Sequence, residues 1–242
     1  MGERLINPIH NVFKQYRKMN LVNPYLFSKP FESTWRTTNT STGSSTSTQV
    51  KLPLISAGTY SFMVTWGDGT SSTITSWNQA QTTHTYAVAG DYTIKINGTC
   101  VGWQFNNLGD RLKILSIQQW GALRLSNIGD GYFRGCANLR LTSVSDLLQL
   151  NGLTSLRLAF SGCTSLGVIN KSNEWDLTTI TNMNSTFEAS NFNGLCSNWN
   201  VSNVTSWNST FFNNPSFNQP IGSFDMRKAT TIVSMLQNST AF

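Results

Sequence analysis

Side chains able to do acid–base, nucleophilic or metal chemistry are scarce in this chain. Its 242 residues include two histidines, eleven carboxylates and four cysteines. His10 lies in a basic leader and His84 in an alternating His84-Thr85-Tyr86 run, where packing or a strand hydrogen bond explains it better than catalysis. Asp68 and Asp91 sit beside glycines and read as turn residues. Cys100, Cys136, Cys163 and Cys196 follow no Cys-x-x-Cys spacing, so they do not read as a zinc site. No glycine-rich phosphate loop is present. We therefore expect no catalytic, metal or cofactor-binding residue and no enzyme. The residues best placed for an exposed contact are Trp77, Asn78 and Gln79, at the end of a polar strand. Trp103, Trp120, Trp199 and Trp207 read mainly as core.

Composition supports a binding or structural role. Charged residues make up 12% of the chain, about half the usual share, while serine, threonine and asparagine are abundant. The net charge of +6 is concentrated at the start. Residues 1–36 carry Arg4, Lys14, Arg17, Lys18, Lys29 and Arg36 against Glu3 and Glu32. A basic leader on a nearly neutral body can touch an acidic partner or serve as a docking helix face. There is no apolar signal-peptide core and no run near the ~20 apolar residues of a membrane span.

Elements must hold these residues in place. Asn7-Pro8 is a cap and first-turn pair, and Ile6, Ile9, Phe13 and Tyr16 share one helical face, which predicts a short helix near residues 8–19. That helix needs something to pack on. The expected assembly anchor is Arg4, Ile6, Ile9, Phe13, Lys14, Tyr16, Arg17 and Lys18. From Phe31 the period becomes two: Phe31, Ser33, Trp35; then Val50, Leu52, Leu54; then Tyr60, Phe62, Val64, Trp66, ending in Gly67-Asp68-Gly69. The Thr/Ser tract 38–48 is read as a long polar loop between two strands. Short strands punctuated this way suggest a sandwich.

Trp66-Gly67-Asp68-Gly69-Thr70, His84-Thr85-Tyr86 and Gly90-Asp91-Tyr92-Thr93-Ile94 resemble, in order and spacing, the signature of PKD domains over roughly residues 44–100. The resemblance implies an Ig-like, extracellular, non-catalytic module. The second half repeats. Phe133-Arg-Gly-Cys-Ala-Asn-Leu139 returns as Phe160-Ser-Gly-Cys-Thr-Ser-Leu166. Trp175-Asp-Leu-Thr-Thr-Ile-Thr-Asn-Met183 then returns as Trp199-Asn-Val-Ser-Asn-Val-Thr-Ser-Trp207 and Phe224-Asp-Met-Arg-Lys-Ala-Thr-Thr-Ile232. A period of 24–27 residues lies in the leucine-rich range, where each unit buries its apolar side chains only by stacking on its neighbours. Val201-Ser-Asn-Val-Thr205 and Phe217-Asn-Gln-Pro-Ile-Gly222 resemble the BspA-like (DUF285-type) leucine-rich family of surface proteins over roughly residues 110–242. Cys136 and Cys163 hold equivalent repeat positions, read as buried thiols in preference to a disulfide. The chain stops at an apolar repeat position, Phe242, which predicts either truncation or cover by another chain.

The expected fold is mainly β. A basic anchor (1–30) precedes a PKD-like β-sandwich (31–104) and a leucine-rich-repeat-like solenoid (105–242). The expected function is a bacteriophage virion structural protein, as capsid decoration or a tail or fibre component, because adhesin-like modules without a secretion signal suit a particle released by lysis. Its partners would be other virion proteins in an oligomeric assembly and a host-surface glycan or protein, with no specific nucleic acid, no membrane span and no cofactor. The alternative is a bacterial cell-surface adhesin of the BspA-like type.

Overall fold

A computed structural model describes residues 29–242. The expected helix near residues 8–19 and the whole anchor set from Arg4 to Lys18 lie outside the described residues. The described chain is mainly β. Its strands are β1 (Phe31–Arg36), β2 (Gln49–Lys51), β3 (Leu54–Thr65), β4 (Ser71–Ile74), β5 (Thr83–Thr85), β6 (Asp91–Trp103), β7 (Ile114–Gln119) and β8 (Leu123–Arg124). Among the described residues helical structure is confined to two 3-10 turns, Ala80–Thr82 and Ser172–Glu174.

The main sheet runs β4-β3-β6-β1-β7, antiparallel throughout, with β8 added parallel to β6. Alternation selects the buried face: Phe31, Ser33 and Trp35 on β1, Phe62 and Val64 on β3, Ile94 and Ile96 on β6. Buried Ser33 accepts the Trp35 indole N–H at 2.8 Å, so the inward polar position is satisfied. Opposite Phe62 stands Gly98, at φ +120°, where a Cβ would lie 2.4 Å from the Ser61 carbonyl oxygen. Only glycine lets β3 and β6 approach this closely.

The run from Val50 to Leu54, which reads as one strand, is divided at Pro53. Gln49–Lys51 pair with β5 in a separate two-stranded sheet, and Leu54 opens β3. A proline cannot donate to a ladder, so pairing changes partner there. The expected boundary at residues 104/105 falls within the main sheet's sequence, because β7 pairs with β1 and β8 with β6. On its other side β7 makes a parallel bridge, Ser116 to Arg140, and so joins the sheet to the repeats.

The repeats stack coil on coil. In one interface Leu156, Leu158, Phe160 and Gly162 donate backbone N–H bonds to Asn182, Asn184, Thr186 and Glu188. The same four-bond rung recurs from Met183, Ser185, Phe187 and Ala189, and again from Trp207, Ser209, Phe211 and Asn213. Two donors in each rung are left-handed: Leu158, Ser185 and Ser209 at one position, Gly162, Ala189 and Asn213 at the other. Non-glycine residues resist this conformation by about 1–2 kcal/mol. Burial must offset that cost. Phe133, Phe160, Phe187 and Phe211 form one column, with ring centroids 5.6, 5.6 and 5.8 Å apart and planes within 6°. Trp175, Trp199 and Phe224 form a second at 5.9 and 6.1 Å, and Phe192, Phe217 and Phe242 a third at 6.3 and 5.8 Å. These separations lie in the favourable range for aromatic pairs.

Candidate functional site

The strand β4 and the loop after it present Trp77, Asn78 and Gln79. Trp77 is 43% exposed, unusual for so large an apolar ring. Asn78 Oδ1 accepts the Ser76 hydroxyl at 2.7 Å. Gln79 turns back on its own loop. Its Oε1 accepts the Thr75 and Ser76 N–H groups at 2.8 and 3.0 Å, and its Nε2 donates to the Thr73 carbonyl at 2.8 Å. Those backbone groups belong to β4 and its continuation, the outer edge of the sheet, so the side chain caps an edge that would otherwise offer itself to another strand. Of the three residues, the geometry leaves the Trp77 ring open to a partner. Gln79→Ala is expected to lower stability by about 1 kcal/mol and to raise the propensity to self-associate, checked by denaturant unfolding and light scattering.

The Gly67-Asp68-Gly69 turn carries a second polar cluster. Asp68 Oδ1 accepts the Thr70 N–H at 3.0 Å and its hydroxyl at 2.6 Å, closing the turn. Asp68 Oδ2 meets His84 Nε2 at 2.7 Å. The imidazole lies flat on Trp66 (4.8 Å, 10°) and edge-on to Tyr86, which stacks on Tyr92 at 3.7 Å. Desolvation pushes the Asp68 carboxyl up, but the bonds from Thr70 and His84 outweigh it and hold the group at about 2. A carboxylate depressed in the folded state stabilises above its ordinary value of 3.8, and that stability is lost as pH falls through about 2. Asp68→Asn should therefore lower the melting temperature at neutral pH, with the gap to the wild type closing between pH 3.8 and about 2. The measurement is a melting series across that window.

Along the repeats, the outer surface is hydroxyl and amide. Thr181, Thr205 and Thr230 each donate their side-chain hydroxyl to the carbonyl of the preceding threonine in the column, Thr154, Thr181 and Thr205, at 3.2, 3.1 and 3.0 Å. Parallel bridges link Ser155, Asn182, Ser206 and Thr231 beside them. Asp176, Asn200 and Asp225 each accept the N–H two residues on, at 3.0, 3.2 and 3.2 Å, and so close the corner of their coil. Several Asn-x-Ser/Thr triplets have structural work of this kind. Asn203 Nδ2 donates to Thr178 O, and Asn238 Nδ2 to Asn213 Oδ1. All four cysteines are buried and free. Burial pushes the Cys100 thiol up to about 12 and the Cys196 thiol to about 11, which makes them poor nucleophiles. Among the described residues no three His, Cys, Asp or Glu side chains converge as metal ligands, and no helix is long and apolar enough to cross a membrane.

The most elaborate polar centre was not visible in the sequence. Lys113 and Asp110 are both fully buried, Nζ to Oδ2 at 3.6 Å. Lys113 Nζ donates to the Ser45, Thr46 and Gln49 carbonyls and to Ser45 Oγ, at 3.0, 2.7, 2.8 and 2.7 Å. Asp110 accepts the Ser45 N–H and hydroxyl and the Lys51 N–H at 2.7, 2.6 and 2.7 Å. Burial pushes the Lys113 amine down, and Asp110 partly restores it. This pair fastens the end of the Thr/Ser tract to the segment that leads into β7. Its arrangement is that of a structural clamp.

The sequence profile of the family described as "Mycoplasma protein of unknown function, DUF285" matches residues 154–242. No curated protein and no solved structure matches the chain. The matched span covers the coils that hold the threonine column, the second and third aromatic columns and the first from Phe160 onward, so over these residues the chain is similar to a DUF285-type repeat.

Proposed function

We propose that this chain is a bacterial surface-displayed binding protein, with a BspA-like leucine-rich solenoid following a PKD-like sandwich whose sheet extends to β8, and that it is not an enzyme. The observation that carries this reading is the family match across residues 154–242, where a bacterial repeat family coincides with stacked coils faced by hydroxyls and amides. Such a surface offers many weak donors and acceptors at a fixed spacing, which suits contact with a glycan or a protein. The exposed Trp77 ring adds an apolar platform at the far side of the sheet. The virion placement expected from the sequence rested on its adhesin-like modules read together with the start of the given sequence. The match to a bacterial repeat family, together with the BspA-like wording of the repeats, supports the cell surface instead.

Intact cells of the encoding bacterium, probed with antibody raised against residues 29–242, test this reading. Labelling that disappears after brief protease treatment of unbroken cells is the expected result. Antigen found only after lysis, or only in phage particles, would overturn it.

A further inference from the structure

We propose that Asn151 is a site of spontaneous deamidation, through attack of the Gly152 amide nitrogen on its side-chain carbonyl. The chain contains three Asn-Gly pairs, Asn97-Gly98, Asn151-Gly152 and Asn193-Gly194. Glycine after asparagine leaves the backbone nitrogen unhindered, so all three have the necessary sequence. The fold separates them. Asn97 and Gly98 lie inside β6, registered against Met63 and Phe62 of β3, and Gly98 is buried. Asn193 is held by its own amide oxygen, which accepts the Asn218 N–H at 3.0 Å and the Gln219 side chain at 2.8 Å, and Gly194 is buried. Asn151 and Gly152 are both exposed at the tip of a turn closed by a 2.9 Å bond from Leu153 N–H to Leu150 O. Among the described residues neither the Asn151 side chain nor the Gly152 N–H has a hydrogen-bond partner. At Gly152, with φ +77°, even an added Cβ would meet nothing within 4 Å.

The step balances with water alone. The Gly152 nitrogen bonds to Asn151 Cγ, the Cγ–Nδ2 bond breaks, and ammonia leaves with the proton lost by the backbone amide. The resulting cyclic imide is then opened by water to aspartate or isoaspartate. Either product places a new negative charge on the nearly neutral repeat body. Isoaspartate also lengthens the backbone beside Gly152 O, which accepts Asn127 Nδ2 at 2.9 Å, while Asn127 Oδ1 accepts the Thr154 N–H at 2.8 Å. The modification therefore bears on a stitch between two coils.

The test is a time course of the whole folded chain in mildly alkaline buffer, followed by peptide mass mapping and isoaspartate labelling with a protein-isoaspartate methyltransferase. The same course in denaturant supplies the unfolded rate for each pair. In the folded chain the Asn151 peptide should convert at least about ten-fold faster than those of Asn97 and Asn193, because strand and coil interiors exchange only through costly opening while exposed loop tips do not. In denaturant the three should convert at similar rates. Comparable rates in the folded chain would overturn the proposal. So would folded Asn151 lagging its unfolded rate by about ten-fold, since the turn would then be protecting it.

Discussion

Lys113→Met is expected to destabilise the protein by about 3–5 kcal/mol, a large part of the roughly 5–15 kcal/mol that a folded domain holds in total. Methionine fills nearly the same volume, so the loss does not come from a cavity. It comes from what remains: a buried Asp110 carboxylate without its cation, and the Ser45, Thr46 and Gln49 carbonyls without the ammonium that draws them together, the first two keeping only the Ser44 hydroxyl and the Gln49 N–H. Unmet buried acceptors cost about 1–3 kcal/mol each when nothing relaxes, so part of the loss should be relieved by movement. That movement has a predictable place, the Thr/Ser tract that Lys113 holds from within. Limited proteolysis of the variant should cut first between residues 38 and 48, before global unfolding. Asp110→Leu combined with Lys113→Met should cost less than the sum of the two single changes, since the pair is removed together. A single variant within 1 kcal/mol of the wild type in denaturant unfolding would show that water or rearrangement meets these groups and that the clamp is not structural.

That clamp also shows where sequence reading reaches its limit. The alternation Phe31-Ser33-Trp35 and Tyr60-Phe62-Val64-Trp66 marks strands directly, because a two-residue period has one physical meaning when one face is buried. The repeat period marks the stack for a similar reason: Trp175, Trp199 and Phe224 align in sequence and lie on one another in space. Lys113 carries no such periodic mark. In Leu112-Lys113-Ile114 nothing marks the cation as buried, and the carbonyls that hold it sit more than sixty residues earlier in a tract that looks like a plain polar loop. Gln79 misleads in the opposite direction. Beside an exposed Trp77 an amide looks like a ligand contact, and only the loop's geometry shows that its hydrogen bonds are already taken. The left-handed rung positions were equally hidden. Gly162 and Asn213 are natural there, but Leu158, Ser185 and Ala189 are not, and only the ladder of N–H groups toward the next coil explains why they accept that conformation.

Phe187→Ala should have the second large effect, a loss of about 3–5 kcal/mol. The ring is fully buried at the centre of the stack. It lies between Phe160 and Phe211 at 5.6 and 5.8 Å and also touches Phe192 at 4.0 Å and Trp199 at 6.2 Å, so it links all three aromatic columns. Truncation removes about the transfer free energy of an aromatic side chain, and the cavity cannot close, because each neighbour is already fixed by its own coil. Its position within the stack decides how the damage spreads. Coils are stabilised chiefly by their neighbours, so weakening the interfaces on both sides of one coil should uncouple the coils after it from those before it. Unfolding of Phe187→Ala should therefore proceed through more than one transition. The coils after residue 190 should gain hydrogen-exchange rate first, while β1, β3 and β6 keep theirs. Val168→Ala, on a side chain 49% exposed in the preceding coil, is the control and should stay within about 0.5 kcal/mol of the wild type. Uniform acceleration of exchange across sheet and stack would mean that the chain unfolds as one cooperative unit and that the coils do not behave as a one-dimensional array.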